Sequence, residues 1–322
     1  MSTPRKHHFL PQFYLEGFKI PEQKGKYSHI WQFEKTLNSK PVNAAIKDAG
    51  CRRDFHTLDH SDLKKDYNSV ETILSKIETE QSNLVEEISS LNEVPDRMKV
   101  NLSEFISTMR YRVPAYAQHI EASLKSIVQD SFKIMFNSGH SQEPPKALQQ
   151  YIDKNGIDSS FIAEISNWKI IQHMLENAFA PENISILSQM KFQLVIAPDN
   201  QLFITSDSPV ALYHPNYTSI KPYGVGLSFK EIEISFPLTA RLLIRCGWGN
   251  DEGTLNATKK EVIEYNRRSI IMSNNYTYSS YSDDRLLEQI EEFCCVTAGF
   301  KFDSLFYGDG SANIQRFIPV TN

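Results

Sequence analysis

Two adjacent histidines, His7 and His8, open the stretch KHHFLPQFYLEGF at residues 6–18, and Gln12 follows four residues after the second. A neutral imidazole titrates near working pH, so it can serve as a metal ligand or a general base. In an extended segment successive side chains face opposite sides. One histidine therefore turns towards the core or a ligand, and the other turns away.

The acids and cations that could join them lie far along the chain. Glu71 and Glu78, seven residues apart in VETILSKIE, stack on one helix face beside an apolar stripe. Carboxylates on such a border can hold a metal or do acid/base work, and they can equally form the solvated shoulder of an amphipathic helix. Arg110 and Arg112 in RYRVP offer a fork for phosphate or carboxylate, or neutralise the two glutamates inside the fold. In FITSDSPV an apolar strand runs into Ser206, Asp207 and Ser208 before Pro209, so hydroxyls and a carboxylate emerge where the backbone must turn. The competing reading there is an Asx- or Ser-type turn that satisfies its own backbone. Tyr14, Tyr116 and Trp168 are read as core rather than as stacking platforms for a base.

The elements that position these residues follow from the patterning. Residues 1–67 mix short aromatic runs with Pro, Gly and polar breaks, which suits short strands and ordered loops. Residues 68–190 are helical in character. From Asn68 as N-cap, the residues Val70, Ile73, Leu74, Ile77, Leu84, Ile88 and Leu91 hold to one side, and NEVPD ends the helix. A second helix carries Leu102, Phe105, Ile106 and Met109 until Pro114 breaks or kinks it. Further helices are expected over 116–136, 145–153, 159–178 and 181–187. Residues 191–322 change to strand periodicity: two strands around the turn in KFQLVIAPDNQLFITSDSPVALY, two in EIEISFPLTARLLIRCG and one in NYTYSSY. Between the last two, TKKEVIEYNRRSIIMSN is helical with its start at Asn-Ala-Thr. The order, runs of helices and then runs of strands, predicts an α+β fold. A helical middle region packs with a mainly antiparallel C-terminal β-sheet, and the short N-terminal strands join the same core in one composite domain.

A chain of 322 residues with 40% hydrophobic residues can bury a large core without staples. The net charge of −5 provides no global cationic field for nonspecific nucleic-acid binding. The four cysteines, Cys51, Cys246 and the pair Cys294 and Cys295, form no CxxC and are read as reduced. Without an apolar leader or a span of membrane length, a cytoplasmic location and no membrane partner are expected. No nucleophile elbow, Walker loop, dinucleotide fingerprint or zinc-protease motif occurs.

Taken in order, HHFLPQFYLEGF, RRDFHTLD, VETILSKIETE, RYRVP, FITSDSPV, SFPLTARLLI and VIEYNRR before YTYSS resemble the bacterial family of unknown function DUF4238 across essentially the whole chain. The resemblance carries no activity. It marks His7, His8, Gln12, Glu71, Arg112 and Asp207, with Ser206 beside it. At 54–56 the family pattern has a tyrosine where this chain has His56, which sets His56 outside a shared role. The marked set, of both charge signs, suits hydrolysis or transfer at a phosphate. In that reading His7, His8, Glu71 and Asp207 are catalytic, with His8, Glu71 and Asp207 holding a divalent metal such as Mg or Mn. Gln12, Arg110, Arg112 and Ser206 bind substrate.

The leading expectation is a hydrolase, a nuclease or nucleotidase, acting on a nucleic acid or nucleotide as a phage-defence or toxin effector. A non-catalytic binding or sensor protein with a structural polar cluster, meeting a protein partner or a second copy of itself, is the alternative. A third is a ribonuclease resembling the HEPN type, for which His119 lies seven residues after Arg112. Pro114 between the two counts against it.

Overall fold

The computed structural model describes residues 5–21, 25–59, 65–137, 150, 154, 165–217, 224–249, 251–307 and 310–321. It is a mixed α+β fold of helices and mostly antiparallel sheets.

The N-terminal zone supplies short elements: β1 (Lys6–His8), α1 (Gln12–Glu16), β2 (His29–Glu34), β3 (Val42–Ala45), β4 (Cys51–Arg53), β5 (Leu58–Asp59) and β6 (Lys65–Asp66). The first long helix, α2 (Ser69–Leu91), buries Val70, Leu74, Gln81, Leu84 and Ile88, whereas Ile73 and Leu91 of the expected stripe are exposed. Asn68 makes no side-chain cap. Asp66 satisfies the first turn instead, accepting from the Asn68 and Ser69 amides at 2.8 and 3.0 Å.

Pro114 separates two helices rather than kinking one. Helix α3 (Lys99–Tyr111) ends before it, and Pro114 is the first residue of α4 (Pro114–Asn137), where its missing N–H is harmless. Next come α5 (Asn167–Ala178) and α6 (Pro181–Ser188). The helix expected over 145–153 lies, apart from residue 150, outside the described residues, as does 159–164 of the next.

Five strands, β7 (Lys191–Ile196), β9 (Ala211–Tyr213), β10 (Glu233–Pro237), β11 (Leu242–Gly247) and β12 (Gly253–Asn256), form a sheet in the order β12-β7-β11-β10-β9. All pairs are antiparallel except β12 with β7. Its strands read as apolar runs because both faces are covered. Phe192, Leu194, Ile244 and Cys246 enter the main core, while Val195 and Leu243 alternate onto the other face. There they meet Val262 and Tyr265 of α7 (Lys259–Met272). As expected from Asn-Ala-Thr, α7 starts at Thr258, in a capping box with Glu261. The second sheet, β3-β2-β13-β8, contains β13 (Tyr276–Ser279) and β8 (Thr205–Ser206).

The hairpin expected across Pro198-Asp199-Asn200 is therefore not formed, since β7 and β8 belong to different sheets. The intervening backbone bonds elsewhere: the Phe203 amide to Ala240 O, and the Ile204 amide and Leu202 carbonyl to the Asn266 side chain. Helix α8 (Asp284–Phe293) and the hairpin β14 (Gly299–Tyr307) and β15 (Gly310–Ile318) complete the fold and had no expected counterpart. The main core draws on Leu10, Tyr14, Leu84, Phe105, Met174, Leu194 and Ile234, so all three sequence zones contribute to it. Tyr14 and Tyr116 are core residues as expected, whereas Trp168, also expected in the core, is exposed at the start of α5. Among the described residues, no helix is long and apolar enough to cross a membrane.

Candidate functional site

Strand β1 pairs with β4, placing His7 opposite Arg52 and His8 opposite Cys51. The pleat turns His7 fully inward and leaves His8 half-buried. Directly after β1 the chain is pinned by Gly50, whose carbonyl accepts from the Phe9 and Leu10 amides at 3.0 and 3.1 Å. Gly50 has φ +59, and a Cβ there would lie 2.9 Å from Leu10 Cβ. Gly50→Ala should therefore cost about 1–3 kcal/mol, read as a lower urea midpoint at unchanged m-value.

An open cleft of about 470 Å³ lies between this segment and α2. Its walls include His8 and Gln12 from one side and Glu71 and Glu78 from the other, with the hydroxyl groups of Ser75 and Thr79. Each carboxylate is held from behind by a buried group. His56 Nδ1 donates to Glu71 Oε1 at 2.6 Å, and its imidazole is 3% exposed. Arg112 Nη2 donates to Glu78 Oε1 and to the His8 carbonyl, both at 2.8 Å, and is 2% exposed.

Burial pulls the His56 imidazole down to about 4, against the raising effect of its bond to Glu71, so the ring is neutral at pH 7. Burial pushes Glu71 up, but the His56 bond and the nearby His7 and Arg112 outweigh it, and the carboxyl sits below its ordinary value. The ionised carboxylate has no proton to give, so His56 Nδ1 carries the hydrogen. Burial also lowers His8, leaving a neutral imidazole on the cleft wall.

His7, His56 and Glu71 each offer a ligand atom, all within 4.8 Å of one another, and this is the one such group among the described residues. The expected donors His8 and Asp207 are not in it. The group is held together by protons: the His56 amide donates to His7 Nδ1 at 2.8 Å, and the His56 ring donates to Glu71. The Nδ1 lone pair of His7 is thus already engaged by the His56 amide. The donor chemistry therefore fits a hydrogen-bonded triad better than a metal centre.

Asp207 lies elsewhere, 1% exposed at the corner between α7 and β13. Its Oδ1 accepts from the Asn274 amide at 2.7 Å, and its Oδ2 from the Asn275 and Tyr276 amides at 2.7 and 3.1 Å. Burial raises its carboxyl to about 6 despite these three donors. Lys35 Nζ secures the same corner through the Ile271 and Ser273 carbonyls. Ser206 Oγ accepts from the Ser208 amide at 3.2 Å, the self-satisfied turn weighed from the sequence.

Arg110 is separated from Arg112 as well. Its guanidinium packs over the Phe317, Tyr111 and Phe300 rings at 4.8, 5.3 and 5.4 Å. His119 packs against Phe300 and lines a different pocket with Gln118, Asn274 and Lys301. Arg112 and His119 thus serve different surroundings, contrary to the HEPN-like arrangement. The structure brings His7, His8, Gln12, Glu71 and Arg112 to one place, together with Glu78, and leaves Arg110, Ser206 and Asp207 out. The resemblance sets His56 aside, yet it is the direct partner of Glu71. Only its place in RRDFHTLD pointed to it.

The family described as Protein of unknown function (DUF4238) matches residues 6–283. No curated protein and no solved structure matches the chain.

Proposed function

The chain belongs to the DUF4238 family, and we propose that it is a hydrolase whose reaction site is the cleft between β1, α1 and α2. The observation carrying this reading is the ionised Glu71 carboxylate, which lines an open cleft while a buried neutral imidazole holds it from behind. Such a carboxylate can take a proton from an attacking water, His56 positioning it and Gln12 offering hydrogen bonds to the substrate. Among the described residues no Lys or Arg lines the cleft, so a phosphodiester finds no cationic partner there. We therefore infer a neutral or cationic substrate in place of the expected nucleic acid or nucleotide.

The test is a set of p-nitrophenyl esters and glycosides, arginine and lysine p-nitroanilides and a p-nitrophenyl phosphodiester. Turnover of a neutral or cationic member is expected. Glu71→Gln, which can still accept from His56, should lower that rate about 10²–10⁴-fold with melting nearly unchanged. A retained rate, preference for the phosphodiester or inertness towards the whole set would sink the proposal.

Binding without turnover is the second reading. It draws support from Arg112 and Asp207, whose bonds all go to the protein's own groups.

A further inference from the structure

Cys294 and Cys295 follow α8 directly, and their Sγ atoms lie 3.6 Å apart. Cys295 is exposed and Cys294 partly so, whereas Cys246 is buried in β11 and Cys51 sits in β4. Two thiols this close could close a disulfide or chelate a single ion, and geometry separates the outcomes. Neighbouring Cα atoms across a trans peptide are about 3.8 Å apart, short of the roughly 4.4–6.8 Å that disulfides usually span. Ring closure between neighbours is therefore strained. A tetrahedral ion with metal–sulfur bonds of about 2.3 Å holds its sulfurs about 3.8 Å apart. The observed spacing is close to that bite without any rearrangement.

The pair sits at the C-terminal end of α8, the negative end of its macrodipole, with the Lys35 ammonium within electrostatic reach of Cys294. The last turn of that helix carries Glu291 and Glu292 and no basic residue.

We propose that Cys294 and Cys295 form a two-thiolate site for a soft divalent cation of the Zn²⁺ and Cd²⁺ type. Each thiol loses its proton as its metal–sulfur bond forms, so one ion releases two protons. Water completes the coordination.

Cadmium titrated into the full reduced chain tests this, followed by thiolate-to-metal absorbance, with alkylation and peptide mass to locate protected thiols. One equivalent should bind and protect Cys294 and Cys295 together. Cys294→Ser and Cys295→Ser should each weaken binding at least tenfold, and Cys51→Ser should leave it unchanged. Both pair members are at the surface, and circular dichroism verifies that the serine variants are folded. An affinity in either pair variant within tenfold of wild type, protection at Cys51 or no absorbance at all would overturn the assignment.

Discussion

Asp207→Ala is expected to lower stability by about 3–5 kcal/mol, as read from urea unfolding at pH 7. The substitution leaves three backbone N–H groups at the α7–β13 corner without their acceptor. Each buried orphan costs about 1–3 kcal/mol, partly offset because a buried carboxylate is no longer desolvated. The loss should also depend on pH. The folded carboxyl titrates at about 6, above the roughly 3.9 of an unfolded chain. Between those values the folded state holds a proton that the unfolded state has released. The wild-type contribution therefore falls as pH rises from about 4 to about 6, and the deficit of the variant is larger at pH 5 than at pH 7.5. A variant within about 1 kcal/mol of wild type at both pH values would return Asp207 to the list of catalytic candidates.

Arg112→Leu should cost about 1–3 kcal/mol, because the buried guanidinium's two acceptors lose their donor while Glu78, on the cleft wall, keeps partial access to water. Glu78 would keep its charge without the guanidinium, and the His8 carbonyl would lose its donor. Pairing Arg112→Leu with Glu78→Leu should recover much of the loss, since both ends of the interaction are then removed. Arg112→Lys should recover little, because the shorter lysine chain does not carry its ammonium to the position of Nη2, the one nitrogen that donates to both acceptors. A double variant no more stable than Arg112→Leu alone would show that the guanidinium acts mainly through packing.

The long-period signals were legible in the sequence. The seven-residue spacing of Glu71 and Glu78 put both on one face of α2, and both do line the cleft. Alternation along His7 and His8 separated a buried ring from a half-buried one, and the change of period at Lys191 marked the start of the sheet. What failed depended on partners remote in sequence. Ser206-Asp207-Ser208 looks like a site because a polar turn ending a strand looks the same whether its oxygens meet a substrate or the amides of residues 274–276. His56 carries no periodic signal, since it lies in a turn before a two-residue strand. The hairpin at Pro198 had the local residues of one, and Asn266, more than sixty residues away, redirected it.

The clamp on β1 has a consequence for the order in which the molecule assembles. This three-residue strand cannot persist on its own. Its anchors lie 49 residues away at His56 and 104 residues away at Arg112. Closing loops of that length is unfavourable until α2 and α3 are already packed. The cleft therefore closes after its helical wall has formed, and its opening separates β1 from α2. A ligand bridging α2 and β1 would bind only the closed form and would shift that opening equilibrium towards it.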